Sequence, residues 1–358
     1  MTTNLTGIGK SIVKNISLIT QENDSQFKIT PVGFLRALLE NPTTTQISNL
    51  KEIQDGHNTS LKFRYLKRGV ESDVTDRDDC ELNLSPIWGE CEIKRPFFSK
   101  IALGLSNSQI RDMEAIASGK VVAGQQEMLY GLYVAILSKV NALVQKINKN
   151  LLTEQILNFG VNIVSGGSNP QIINFANSPS MEDGIVKIIR DFQKNEQVGT
   201  PIIVGNGKVF DYNMVQGMKR AADSGGFFQN PTYLAYEDFG SVDVWGADHF
   251  GVFAKGSAGF VDFNMNVGGF ANDTGNSVEF TMPIPMTLAS GELSSLLLDA
   301  QLIYSDCNKY DEDGDLVTAK GWGIILSKSY GLYSAPSDLY QSEDRLFGVN
   351  GAFHYVGA

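Results

Sequence analysis

The residues whose types and spacing come nearest to chemistry lie between Thr200 and Ala222, TPIIVGNGKVFDYNMVQGMKRAA. An apolar run, Ile202-Ile203-Val204, stops at Gly205-Asn206-Gly207-Lys208, and a helical pattern follows Val209-Phe210-Asp211. Strand, glycine turn, lysine and helix is the order in which phosphate sites are built, because free N–H groups at the turn and helix start face the anion. Spacing excludes that use. A P-loop needs glycine six positions before its lysine and a hydroxyl residue just after it, and those positions hold Ile202 and Val209. A dinucleotide turn needs a third glycine three residues beyond the second, where Phe210 stands. The stretch therefore reads as a strand, an Asn-Gly turn and a helix starting near Tyr212 with Asp211 as its cap.

Three further groups of residues have types that could do chemistry. The acidic run Tyr310 to Leu316, YDEDGDL, offers Asp311, Asp313 and Asp315 as calcium ligands. Setting Gly314 at the sixth position of an EF-hand loop puts Lys309 and Lys320 where positions 1 and 12 require carboxylates. An Asp-Gly hairpin turn between two strands accounts for the run better. His57, His249 and His354 fall in no ligand spacing, and Asp248 and His249, adjacent on an expected strand, point to opposite faces. No G-x-S-x-G elbow is present. Cys80, Cys91 and Cys307 form no CxxC pair and, being three, no disulfide framework. The residues nominate no catalytic group, cofactor or metal, and the expectation is a protein that is not an enzyme.

Composition narrows the partners. The chain has 358 residues and a formal net charge of −11. A protein gripping nucleic acid draws its affinity from clustered Lys and Arg, so DNA is expected to touch this chain only weakly and without sequence preference. An acidic wall beside DNA avoids sticking to it. No apolar run approaches the roughly 18 residues of a membrane span, and the start, MTTNLTGIGKSIVKNISLIT, lacks a signal peptide's apolar block and cleavage site. A cytoplasmic setting is expected.

The elements that carry these residues follow from periodicity. Residues 1–58 combine a polar start with one helical patch, Pro31 to Leu39, and read as an arm that orders against a neighbour. In SLKFRYLKRG, Leu61, Phe63 and Tyr65 alternate with Lys62 and Arg64, the period of a strand. A charged tip, GVESDVTDRDD, follows, then a second strand region within Cys80 to Lys94. This is a long hairpin with a basic first strand (Lys62, Arg64, Lys67, Arg68) and an acidic tip and return (Glu71, Asp73, Asp76, Asp78, Asp79, Glu81, with Arg77 among them). A two-stranded hairpin is marginal alone in water; it lies either on its own domain or on another surface. Ser106 and Gln109 form a capping box. From Met128 to Ile147 apolar residues keep a 3.6-residue rhythm, a helix over Gln125 to Asn150 of roughly 39 Å, with a kink expected at Gly119 or Gly124. Residues 151–260 read as an α/β unit with a strand at Val161–Val164, helices at Glu182 to Gln193 and Tyr212 to Ala222, and strands in TYLAY, VDVWG, FGVFAKG and AGFVDFNM. The rest is glycine-punctuated β-structure.

In this order the parts resemble the major capsid (major head) proteins of tailed bacteriophages, whose fold is named for phage Hong Kong 97. The resemblance covers most of the chain and rests on arm, hairpin, long helix and α/β unit rather than on a motif. It implies an α+β, Hong Kong 97-like capsid fold: an N-terminal arm (1–58), an extended hairpin loop (59–97), a peripheral domain with a spine helix (98–155), an axial domain (156–255) and a β-rich return (256–358) that includes a possible insertion. It implies self-assembly as pentamers and hexamers into an icosahedral shell around double-stranded DNA. Portal, scaffold and minor head proteins are further implied partners, and the virion, assembled in the host bacterial cytoplasm, is the implied location. No membrane partner is implied. Some relatives cross-link subunits through a lysine of the extended loop; Lys67 lies in the matching region, and no such cross-link is inferred. The hairpin residues Lys62, Arg64, Lys67, Arg68, Glu71, Asp73, Asp76, Arg77, Asp78 and Asp79, with Lys208, are the candidate contacts between subunits.

Two rivals predict different behaviour. A β-rich, calcium-binding tail or surface module, motivated by the acidic turn, predicts stabilisation by calcium. An enzyme of the α/β unit predicts a concave pocket with a perturbed titrating group.

Overall fold

The computed structural model describes residues 4–21, 33–41, 46–47, 60–66, 88–93, 97–119, 125–163, 169–173, 182–195, 197, 199–211, 233–263, 270–271, 274, 276–287, 293–310, 316–336 and 349–358. In chain order the elements are α1 (Leu5–Gln21), α2 (Gly33–Glu40), β1 (Gln46–Ile47), β2 (Leu61–Leu66), β3 (Trp88–Ile93), β4 (Phe97–Leu105), α3 (Asn107–Ala117), α4 (Gln125–Leu157), β5 (Gln171–Ile173), α5 (Glu182–Lys194), β6 (Ile202–Gly205), β7 (Leu234–Glu237), β8 (His249–Phe253), β9 (Ala258–Phe263), β10 (Phe270–Ala271), β11 (Ser277–Thr287), β12 (Leu293–Tyr310), β13 (Leu316–Ser334) and β14 (Ala352–Gly357). They form two compact units, each made of three chain segments: 1–31, 97–147 and 262–330 in the first, 32–96, 148–261 and 331–358 in the second.

The first unit is built on an antiparallel sheet in the order β10-β11-β12-β13-β4. Strict alternation gives it one apolar face: Val278, Phe280, Met282 and Ile284 of β11 are fully buried and pair with Leu302, Ala300, Leu298 and Leu296 of β12. α1 packs on β11 and α3. Its Leu5, Ile8, Ile12 and Ile16, spaced at three and four residues, are all 0% exposed, and each such side chain contributes about 1.5–3 kcal/mol. The start of the expected arm is thus an amphipathic helix seated on its own chain. Thr6 and Asn15, which make it look polar, lie between the buried positions, and Ser11 is buried with them. A methyl group on Gly9 would come within 2.6 Å of the Phe270 ring, so this helix approaches closely there. The Ser106–Gln109 capping box is present at α3, and the helical pattern breaks at Gly119, whose φ is +73°.

The second unit holds a five-stranded mixed sheet in the order β5-β14-β8-β6-β7, with parallel pairs β5–β14 and β6–β7 at its two edges. Ile185, Ile188 and Phe192 of α5 join Ile203, Phe250, Val252, Phe353 and Tyr355 in one core. α2 packs on β6 and β7. A smaller sheet, β1-β2-β3, belongs to the same unit. α4 has 33 residues, about 50 Å at the usual helical rise.

Three expected elements take other forms. Val161 and Asn162 are not in a strand; Asn162 is wholly buried and its amide donates to Tyr355 Oη at 3.0 Å, so side-chain hydrogen bonding overrides the apolar alternation. VDVWG is a succession of turns after a 3₁₀ segment, Phe239–Ser241, because Asp238 and Ser241 bond the local backbone. Helical residues begin at Lys208 rather than near Tyr212, and Asp211 lies inside the helix instead of capping it. The expected helix at 212–222 lies outside the described residues.

Candidate functional site

The Gly205–Lys208 turn closes on itself. Gly205 and Gly207 have φ of 147° and 87°, the region that favours glycine. Phe210 N–H and Asp211 N–H donate to Gly207 O at 2.9 and 3.4 Å, starting the helix directly at the turn. The first N–H of this helix, that of Lys208, has a local partner in Asp248. Lys208 N–H donates to Asp248 Oδ1 at 3.2 Å, while Asp248 N–H donates to Asn206 Oδ1 at 2.7 Å. Asn206 Nδ2 in turn donates to Ser241 Oγ and Gly246 O, at 2.6 and 3.1 Å. Asp248 is the non-glycine residue with positive φ among the described residues, at 62°, and a methyl group on Gly207 would lie 2.3 Å from its Oδ1. A carboxylate of the chain itself occupies the place where a phosphate would be bound. Lys208 is half-buried beside it.

β2 and β3 pair antiparallel as expected, and the register sets Lys62 opposite Glu92 and Arg64 opposite Glu90. Leu61 and Phe63 are buried at 2% and 1%, with the Phe63 ring 5.4 Å from Tyr333 of the same unit. The described stem thus packs on its own unit. Its other face carries Arg64, Trp88, Glu90 and Glu92, all exposed. The basic strand is answered within its own hairpin, Arg64 Nε donating to Glu90 Oε1 at 3.2 Å. The tip candidates Lys67, Arg68, Glu71, Asp73, Asp76, Arg77, Asp78 and Asp79 lie outside the described residues. So do Asp311, Asp313 and Asp315, flanked by the paired Tyr310 and Leu316, and so do Cys80 and His57. No group of three or more potential metal ligands occurs among the described residues.

Two polar constellations escape a reading by sequence spacing. Asp238, 2% exposed, accepts from Phe34 N–H at 2.9 Å, Asn148 Nδ2 at 2.8 Å and Gly240 N–H at 2.9 Å. Asn148 Oδ1 accepts from Leu35 N–H at 2.8 Å, so the pair caps α2 from 113 and 204 residues away. In addition, β8 and β14 bring His249 Nδ1 and His354 Nε2 to 3.0 Å. The His354 ring stacks on Phe159 with centroids 4.6 Å apart. Burial, and then the neighbouring His249, push His354 down to about 4. Burial also lowers His249, against the opposing pull of Asp248. Both rings are held neutral and serve as a hydrogen-bonded rung of the sheet. The only signal in the sequence is that each histidine lies in an otherwise apolar strand. A small cleft in this unit is lined by Phe34, Ala37, Leu38, Ile202, Val204 and Phe253, with Asn41 at its margin; these side chains include no acid or base.

No protein-family model and no curated protein sequence matches the chain. Among solved structures, the chain is similar to one from Mycobacterium phage Adephagia, at 8% identity and a TM-score of 0.48 over 96% of this chain and 97% of that one. It is similar also to the capsid structure of the cyanophage P-SCSP1u, at 10% identity and a TM-score of 0.44 over 92% and 89% of the two chains. A third is the asymmetric unit of the bacteriophage PhiM1 mature capsid, at 7% identity and a TM-score of 0.37 over 84% and 83%.

Proposed function

We propose that this chain is a phage major capsid protein of the Hong Kong 97 type, a shell subunit that assembles with its own copies as pentamers and hexamers around double-stranded DNA. The observation that carries the reading is the succession of a charged antiparallel hairpin (β2–β3), a 33-residue helix (α4) and a five-stranded mixed sheet flanked by α2 and α5. In the proposed fold these are the extended loop, the spine helix and the axial domain. The long helix is suited to a spine because it supplies a stiff rod with a continuous buried stripe, Leu132, Ile136, Val140, Leu143, Ile147 and Leu151.

The sites described are structural in their chemistry. The would-be phosphate turn is filled by Asp248, and the histidine pair is neutral, with His354 stacked on Phe159. What the surface offers is area and charge: Trp88 is 53% exposed on the outer face of the hairpin beside Glu90 and Glu92. Shells gain affinity from many modest contacts repeated by symmetry, so an exposed aromatic on a rigid stem is the kind of residue they use.

The hairpin is tested by deleting Glu71 to Asp78. The deleted chain is expected to keep the wild-type circular dichroism and melting profile while forming no particles. Normal particles from that deletion would remove the hairpin from the assembly contacts.

A further inference from the structure

Lys328 stands in the wrong place for an ordinary lysine. On β13 it alternates with Ile324, Leu326 and Tyr330, which are 0%, 2% and 0% exposed, and its own side chain is 0% exposed. It lies on the apolar face of the first unit's sheet, opposite Ser99 of β4. Its Nζ donates to the Asp262 carboxylate on β9 and to Leu297 O on β12. The Asp262 side chain is 36% exposed, so its outer side reaches solvent.

Removing both charges from water costs more than their attraction alone returns. Burial pushes the Lys328 ammonium down and the Asp262 carboxyl up, each against the pull of the other. Both directions favour the uncharged amine and the uncharged acid. Asp299, 8% exposed on β12, adds a second negative charge that raises both groups, adding to the rise of Asp262 and opposing the fall of Lys328. An amine and a carboxylic acid held together in a core are the reactants of an amide.

We propose that Lys328 and Asp262 join in a self-formed isopeptide bond within the chain, the contact of a fully buried Nζ with a carboxyl group in an apolar sheet face being its basis. Lys328 Nζ, as the free amine, attacks Asp262 Cγ. The Nζ–Cγ bond forms, the bond from Cγ to the hydroxyl oxygen breaks, and one amine proton leaves with that oxygen as water. Nothing is oxidised or reduced, and no other reagent enters. In open water hydrolysis competes with such a condensation. Fixing the two groups in contact is equivalent to an effective concentration on the order of 10⁵–10⁸ M, and the open side of Asp262 gives the water a way out. The bond ties β9 covalently to β13. It lies within the first unit and is independent of the shell reading.

The test is the intact mass of the purified full-length chain under denaturing conditions, followed by peptide mapping. The expected result is a chain lighter than its sequence by one water molecule, with a branched peptide joining the segments that carry Asp262 and Lys328. Lys328→Arg keeps the cation but cannot condense, and is expected to restore the full sequence mass with the native circular dichroism spectrum. A wild-type chain at full sequence mass, with Asp262 and Lys328 recovered in separate linear peptides, overturns the proposal. So does a lost water that maps to an Asp-Gly succinimide.

Discussion

Asp238 Oδ2 accepts the backbone N–H of Phe34 at 2.9 Å, across 204 residues of sequence. The same oxygen accepts from Asn148 Nδ2 at 2.8 Å, so one buried carboxylate caps α2 and fixes the end of α4 that belongs to the second unit. Removing it leaves two buried donors without partners, each costing about 1–3 kcal/mol. Asp238→Ala is expected to lower stability by about 3 kcal/mol in equilibrium urea unfolding, and Asp238→Asn, which keeps an acceptor, by less. Equal midpoints for Asp238→Ala and wild type would show that the cap carries no stability. Gly33 has φ of +59°, and a methyl group there would lie against the same carboxylate, so Gly33→Ala is expected to act in the same direction.

α1 separates two views of the N-terminal segment. If the segment ordered only against a neighbour, truncating its side chains would leave the isolated chain unchanged. With Ile12 fully buried on its own unit, Ile12→Ala is expected to cost about 2–5 kcal/mol, read in a monomeric sample by chemical unfolding. An unchanged midpoint would return residues 5–16 to the role of a detached arm.

The His249–His354 pair gives the chain a pH dependence of defined sign. His354 sits near 4 in the folded chain against an ordinary value of 6.5, so the unfolded chain binds the proton more readily. Its contribution is fully present above pH 6.5, falls as the pH drops towards 4 and is flat below that. The loss is at most about 3 kcal/mol. Urea midpoints measured from pH 7.5 to 4 are expected to fall across this window, and His354→Gln is expected to flatten the fall. A wild-type profile as flat as that of the variant would contradict the assignment.

The outer face of the hairpin is expected to matter for assembly and hardly at all for folding. Arg64 and Glu90 are 53% and 56% exposed in their side chains, and such pairs contribute about 0–1 kcal/mol. Trp88→Ala and Arg64→Glu are expected to leave the melting temperature near that of wild type and to lower particle yield in sedimentation. Wild-type particle yields from both would place the contacts elsewhere.

How far the sequence spoke for itself depended on the range of the interaction. The capping box at Ser106, the long apolar rhythm ending in α4 and the alternation of β2 are local patterns, and each formed as its spacing dictates. α1 was also local, with Leu5, Ile8, Ile12 and Ile16 at helical intervals, but intervening Ser, Thr and Asn hid the stripe. VDVWG shows the reverse error: it alternates like a strand, yet Asp238 and Ser241 draw the backbone into turns. Asp248 filling the Gly205–Lys208 turn depends on a contact 40 residues away. The histidine pair depends on strands 105 residues apart. Neither distance leaves a trace in spacing.

Electron microscopy of the purified chain, over a range of concentrations and with the other head proteins of its source co-expressed, tests the central claim most directly. The account predicts five- and sixfold rings or closed icosahedral shells, with the β2–β3 hairpin at contacts between copies. A monodisperse monomer under all of these conditions would contradict it.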